Sequence, residues 1–176
     1  MSSKWRMTSS LLATGFAVLL ADDRPALAAT TITQTMAVSL AVVPTCTITT
    51  APINLGNWSA GAGSVISATG TVTVNCSNST AWSIDVDAGL HPTGTSPALA
   101  RAVSNGAPTP TLIFYNLYKD AADTLPWGTT TTGTALTGTG TGANQLNTVY
   151  AKTPGGFSGA LPNGAYADTV TFGVTF

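Results

Sequence analysis

The segment TITQTMAVSLAVV, residues 31–43, decides how the rest of this sequence is interpreted. Its apolar side chains fall at alternate positions, with small or hydroxylated residues between them, which is the period of a β-strand with one buried face. The apolar set comprises Ile32, Met36, Val38, Leu40 and Val42. Gln34 lies on the same face and interrupts it. The pattern predicts a strand upstream of the first cysteine, in a region where chains are usually held loosely.

The first 28 residues have the features of a secretory signal peptide. Lys4 and Arg6 form a basic start, the apolar run LLATGFAVLLA follows at 11–21, and ALAA at 26–29 offers a cleavage site. The apolar run is shorter than the roughly 20 residues that a membrane-spanning helix needs. We therefore expect an exported chain without direct membrane insertion. It would consist of a signal peptide (1–28), an N-terminal strand segment (29–43) and one domain (44–176).

The composition indicates an all-β domain with few charges. The formal net charge is −1, and the six cations form no basic stripe. Nucleic acid is therefore not an expected partner. Threonine is abundant, Gly, Pro and Asn mark the turns, and no helical period is present. Threonine suits a half-buried pleated surface, so the sequence predicts strands with hydroxyl-rich outer faces.

Cys46 and Cys76 are the two cysteines of the chain. In an oxidising compartment such a pair most simply forms one disulfide. In the chain-entropy model this cross-link stabilises the fold by about 3–4 kcal/mol. A catalytic or metal-binding role would require a nearby histidine or a C-x-x-C spacing, and the sequence has neither.

Further alternating runs follow the first cysteine. The run before Cys76 places Val72 and Val74 on one face, and AWSIDV places Trp82, Ile84 and Val86 inward. Segment 111–120 is the most apolar and predicts a central strand, and a short strand is predicted near 99–103. The Thr/Gly-rich segment 124–145 predicts a hairpin or a mobile excursion without fixed core contacts.

The chain closes with GALPNGAYADTVTFGVTF, in which apolar side chains again alternate. They are Tyr166, Val170, Phe172, Val174 and Phe176. Together with a strand at 147–154, this pattern gives about seven short strands separated by regular turns. That number and spacing favour an immunoglobulin-like β-sandwich.

The sequence offers little for catalysis. His91 lies in a loop-like stretch without a nucleophile motif. Asp85 and Asp87 share one strand face, which predicts a polar edge and not two carboxylates facing across a cleft. Asp120 and Asp123 lack the remainder of a calcium loop, so turn chemistry is the better account. We therefore predict a protein that is not an enzyme and has no catalytic, cofactor-binding or metal-binding residues.

The tryptophans support an alternative function. Trp58 and Trp127 each follow a turn and could line a carbohydrate-binding face, whereas Trp82 lies on an apolar face and is predicted to be in the core. The alternative is therefore a monomeric, secreted, carbohydrate-binding β-sandwich. An exposed row of aromatic side chains on one face would favour it.

The spaced motifs resemble the spore coat U domain proteins, the family that includes Csu-type pilins of the archaic chaperone–usher pathway. The matching pieces, in order, are VVPTC, NLGNW, GTVTVNC, YNLYKDAADTLPWG, VYAK and GAYADTVTFGVTF. They cover nearly the whole chain after the signal peptide. Leu55 and Lys152 depart from the residues expected there, Phe and Arg, without affecting the fold.

The resemblance implies an incomplete immunoglobulin-like sandwich that is completed by a donor strand from another protein. A periplasmic chaperone would lend a strand first, and residues 31–43 of another pilin subunit would replace it at the outer-membrane usher. The groove would lie beside the closing strand, 166–176, of the recipient. This implies a structural subunit of a surface fimbria or coat that serves adhesion and biofilm formation.

Physical principles alone, without the resemblance, also predict that residues 31–43 pair with another sheet. An alternating strand with one apolar face and no partner is an aggregation hazard unless another sheet receives it. The alternative is that 31–43 pairs within its own domain as an ordinary first strand.

Overall fold

The computed structural model describes residues 28–58, 65–94, 101–155 and 161–176, and these residues form eight β-strands. The strands are β1 (Cys46–Ala51), β2 (Ser67–Cys76), β3 (Ala81–Val86), β4 (Arg101–Ser104), β5 (Leu112–Tyr118), β6 (Leu136–Thr139), β7 (Gln145–Lys152) and β8 (Phe172–Thr175). Within these ranges there is no helix, and so none that could cross a membrane. The all-β prediction is confirmed. The predicted signal peptide lies outside the described residues, apart from residue 28.

The strands form two antiparallel sheets that enclose one core. The large sheet has the order β1-β2-β7-β5-β4, and the small sheet has the order β6-β3-β8. Val72 and Val74 of the large sheet belong to the same buried cluster as Ile84 and Val86 of the small sheet. This is the predicted immunoglobulin-like sandwich. β5 is paired on both sides, but β7 and not β5 occupies the middle of the large sheet.

The predicted disulfide is present between Cys46 and Cys76. The two residues face each other at one end of the β1–β2 ladder, where the register pairs them directly. The cross-link therefore holds the start of β1 to the end of β2. The cystine also belongs to the core, because the Cys76 side chain is fully buried.

The Thr/Gly-rich segment is more ordered than its composition predicts. β6 lies within it and pairs with β3. Trp127 is fully buried, donates its indole N–H to the Ile84 carbonyl at 3.0 Å, and packs edge-to-face on Phe172 with ring centroids 5.5 Å apart. The prediction that this segment has no fixed core contact is wrong, because one large aromatic residue joins it to the small sheet.

One glycine of that segment, Gly138, is required for a steric reason. It lies opposite Trp82 in the β3–β6 pair, and a Cβ at this position would overlap the Trp82 indole. Glycine lets a tryptophan lie flat against the neighbouring backbone. The low-complexity composition thus contains a position with a steric requirement.

The N-terminal alternating segment, residues 31–43, has no regular secondary structure. The chain divides into a unit that ends at Leu40 and a unit from Ala41 to Phe176. Residues 28–45 belong to no strand, so the strand predicted for 31–43 is not formed in the single chain. Its apolar side chains are 83–91% exposed from Ile32 to Leu40, and Val42 is 84% exposed.

Truncation of Trp127 should destabilise the domain strongly. We expect Trp127→Ala to lower the free energy of unfolding by about 3–5 kcal/mol, because it leaves a cavity between the sheets. Leu125→Ala is the matched control, since Leu125 is 54% exposed and close in sequence. It should cost about 0.5 kcal/mol or less. Chemical denaturation of the oxidised proteins measures both values, and equal losses would contradict the buried position of Trp127.

Candidate functional site

A largely apolar groove lies over the inner face of the large sheet, beside the start of β8. Its first part is a cavity of about 440 Å³. Val72, Leu117 and Val149 of the large sheet form the floor, and each is 1% exposed. Residues 50–56 form one wall, and residues 166–172 form the other. Because the groove is open to solvent, an apolar chain that filled it would gain packing as well as burial.

The groove continues into a second cavity of about 390 Å³. The two cavities share the lining residues Leu55, Gly56, Val103 and Tyr166. Trp58 lines the second cavity and is half-buried. We call the two cavities together the sandwich groove. Because the two cavities adjoin, an extended chain could occupy both.

β8 presents an unpaired edge beside this groove. It is the last strand of the small sheet, and its register pairs Val86 with Phe172. The Asp87 N–H donates to the Thr171 carbonyl at 3.1 Å. Hydrogen-bonded pairs alternate along an antiparallel ladder, so the main-chain groups of Phe172 and Val174 point away from β3. In the part of the chain that the structure describes, no strand pairs with this edge.

The closing segment is only partly the strand that its alternation predicts. Its alternating residues are Tyr166, Val170, Phe172, Val174 and Phe176. The first three line the sandwich groove, and Val174 packs against the core. Phe176 is 55% exposed. The predicted strand from 166 to 176 is too long: β8 begins at Phe172, because the preceding residues cross from one sheet to the other.

That crossing is visible in the hydrogen bonds. Ala167 exchanges two main-chain hydrogen bonds of 2.9 Å with Ser104 at the edge of the large sheet. Four residues later, Thr171 pairs with Asp87 after β3, in the small sheet. The segment between these two anchor points, residues 167–171, forms one side of the sandwich groove, and we call this segment the wall.

Polar side chains hold the wall between its anchors. The Tyr115 hydroxyl donates to Asp168 Oδ2 at 2.7 Å, and the Leu90 N–H donates to Asp168 Oδ1 at 2.9 Å. Burial, reinforced by the Asp168 carboxylate, raises the pKa of Tyr115, so the hydroxyl remains a donor. Gly89 has a positive φ of 73°, and a Cβ there would overlap the Asp168 carboxylate.

Asp87 fixes the end of the wall. Its Oδ1 accepts the N–H groups of Gly89 and Thr171, both at 2.9 Å. Burial opposes the charge of Asp87, but these amide hydrogen bonds and the nearby Arg101 outweigh it and lower the pKa of Asp87 below its ordinary 3.8. These contacts favour the ionised carboxylate, which joins the loop after β3 to the start of β8.

Arg101 lies under this cluster and is fully buried. Its Nε donates to the Asp87 carbonyl at 2.8 Å, and one terminal nitrogen donates to the Trp127 carbonyl at 3.1 Å. The sequence pattern does not predict this role for Arg101, which counts only as one of six cations that form no basic stripe. The available signal was its position at the start of a short strand in a chain with few charges.

The sequence of this domain matches the model of a known family. The model of the spore coat protein U domain matches residues 32–173. The chain belongs to the spore coat protein U domain family. The matched range of this spore coat U domain begins within the N-terminal alternating segment and ends within β8. No curated protein is similar enough to this chain to be matched with it.

A solved structure shares the fold of this spore coat U domain. It is the complex of the chaperone CsuC with the tip adhesion subunit CsuE, a pre-assembly complex from the archaic chaperone–usher Csu pili of Acinetobacter baumannii. The TM-score is 0.53 and the sequence identity is 22%. The match covers 77% of this chain and 40% of the other. At this identity the likeness concerns the fold.

The remaining acidic candidates of the spore coat U domain have structural partners. Asp85 accepts hydrogen bonds from the N–H and the hydroxyl of Thr130, at 2.9 and 2.7 Å. Asp120 accepts the N–H groups within its own turn, as predicted. Asp123 pairs with Lys152 at 2.8 Å. Across the described ranges, no three His, Cys, Asp or Glu residues cluster as metal ligands.

Two of the tryptophans lie in the core and not on a sugar-binding surface. Trp127 is fully buried and Trp82 is 6% exposed, so both belong to the core. The prediction that Trp127 could line a carbohydrate-binding face is wrong. Its indole is held between the sheets by the Ile84 carbonyl and Phe172.

The contribution of Asp87 to stability should depend on pH. A carboxylate whose pKa is lower in the folded state stabilises the fold above its unfolded pKa, and this stabilisation disappears as the pH falls through the folded value. Asp87→Asn should therefore be less stable than the parent at about pH 6, and the difference should be smaller at about pH 3, below the ordinary pKa of 3.8. Thermal unfolding at both pH values measures the difference. A gap that is equal at both would contradict an ionised Asp87.

Proposed function

We propose that this protein is a structural subunit of a surface fimbria or coat and that it polymerises by donor-strand exchange. Residues 31–43 of one subunit would lie in the sandwich groove of the next. One observation carries the proposal: the same chain has an exposed apolar stripe with a strand period and an apolar groove beside an unpaired strand edge.

The stripe and the groove match in chemistry. Met36, Val38, Leu40 and Val42 would point into the groove, and the small residues between them would face outward. Burying four such side chains at roughly 1.5–3 kcal/mol each stabilises the contact by about 6–12 kcal/mol before ordering costs. Main-chain hydrogen bonds to Phe172 and Val174 would add to it, as in other cases of β-strand addition.

The donor and the groove are different surfaces, so each subunit would have one of each. A contact of this kind is heterologous and need not close on itself, which produces a fibre and not a ring. A shaft subunit fits better than a tip subunit, because a tip needs no donor strand for a further partner.

The partners of the assembly follow from the same geometry. An unfilled apolar groove with a bare strand edge invites aggregation, so a periplasmic chaperone would cover it before assembly at an outer-membrane usher. The chaperone-bound subunit in the Csu complex supports this route. The residues that precede the donor would serve as the signal peptide for export. Adhesion and biofilm formation are the expected roles of the fibre, without catalysis.

A pair of adjacent substitutions tests the donor strand. Val38→Asp places a charge on the face that would enter the groove, and Ala37→Asp places the same charge on the opposite face. We expect heat- and SDS-resistant ladders from the Ala37→Asp protein and few or none from Val38→Asp. Electrophoresis without boiling, together with electron microscopy of the cell surface, measures the assembly.

A truncated chain without residues 30–43 gives the second comparison. It should accept a donor from an intact subunit but should form no ladder by itself. An intact chain that stays monomeric and folds without a chaperone, while the truncated chain unfolds, would contradict the proposal. Residues 31–43 would then complete their own sandwich.

A further inference from the structure

The wall of the sandwich groove between Ala167 and Thr171 has an unusual mode of attachment. At its ends it is held by main-chain hydrogen bonds to Ser104 and Asp87. Between them, the ladder that would hold an ordinary strand is replaced by side-chain hydrogen bonds. Because directional polar contacts define position more sharply than apolar packing does, these bonds determine where the wall lies.

The hydrogen bond between Tyr115 and Asp168 joins two sides of the groove lining. Tyr115 belongs to β5 of the large sheet, and Asp168 belongs to the wall. Both residues line the first cavity, and their oxygen atoms are 2.7 Å apart. The bond therefore links the floor to the wall at the site where a donor strand would enter.

We propose that the Tyr115–Asp168 pair positions the wall and, through it, the unpaired edge of β8, which we call the acceptor edge. The pair holds the wall in its binding geometry whenever the groove is empty, so that an incoming strand, the chaperone's first and then a subunit's, meets an ordered edge. This inference rests on the proposed function. An edge that is already ordered does not lose conformational entropy on binding, and this speeds association. Once the donor is bound, its own main-chain hydrogen bonds hold the wall.

The pair differs in this respect from other side-chain hydrogen bonds of the domain. Asp85 also accepts two hydrogen bonds from one neighbouring segment, at Thr130, but it does not line the groove. It holds the turn before β6. Asp85 is therefore the matched control for Asp168: the same side chain, with a similar bonding role, outside the lining of the sandwich groove.

The test measures donor binding to an empty groove. The full chain with Val38→Asp is the recipient, because it keeps the groove but has a defective donor. The probe is a synthetic, fluorescently labelled peptide of residues 30–43. Fluorescence anisotropy gives the association and dissociation rate constants separately, and chemical denaturation confirms that each recipient is folded.

We expect Tyr115→Phe to lower the association rate constant about tenfold, the factor that corresponds to one hydrogen bond to a charged group. The dissociation rate constant should stay within about twofold, because the donor itself holds the wall in the filled state. Asp168→Asn should act in the same direction. The double variant should bind no more slowly than the slower single variant, since both remove one bond. Asp85→Asn should bind at the parent rate.

Three results would overturn the inference. Parent-like association by both Tyr115→Phe and Asp168→Asn would show that the pair does not position the edge, while donor binding itself would stand. Faster dissociation with unchanged association would place the contribution in the filled state. A recipient with both residues intact that does not bind the peptide would overturn the proposed function, and the inference with it.

Discussion

The outer edge of β8 and the apolar floor beside it impose one requirement on the whole domain. Main-chain groups at an exposed edge can bond to water, but apolar side chains at the floor gain nothing from water. An extended chain with one apolar face satisfies both at once, because it supplies hydrogen bonds along the edge and side chains into the groove. Residues 31–43 have that form, and the rest of the domain holds the groove that would receive it.

The large sheet can leave its inner face partly uncovered because other contacts hold the sandwich together. The disulfide connects the start of β1 to the end of β2. Trp127 and Arg101 connect the loop after β5 to the small sheet through the carbonyl groups of Ile84 and Val86. These contacts are made within one subunit and do not require a filled groove.

Polar groups at the rim of an apolar groove would ordinarily lower its affinity for an apolar chain, because their desolvation is costly. Here their hydrogen bonds are satisfied within the domain. The Asp168 carboxylate is bonded on both oxygens, and Asp87 accepts two main-chain N–H groups. A donor strand can therefore approach the edge of β8 without stripping water from an unpaired charge, and the wall keeps its shape.

The sequence by itself determined the alternating faces, the disulfide and the β-sandwich class, since side-chain period and cysteine count are local properties. The core positions of β2 and β3 follow from that period. Only the tertiary structure decided the order of the strands, the burial of Trp127 and Arg101, and the Tyr115–Asp168 bond. These depend on residues far apart in the chain, and periodicity carries no information on which distant segments meet. The groove likewise exists only where the two sheets fail to cover each other.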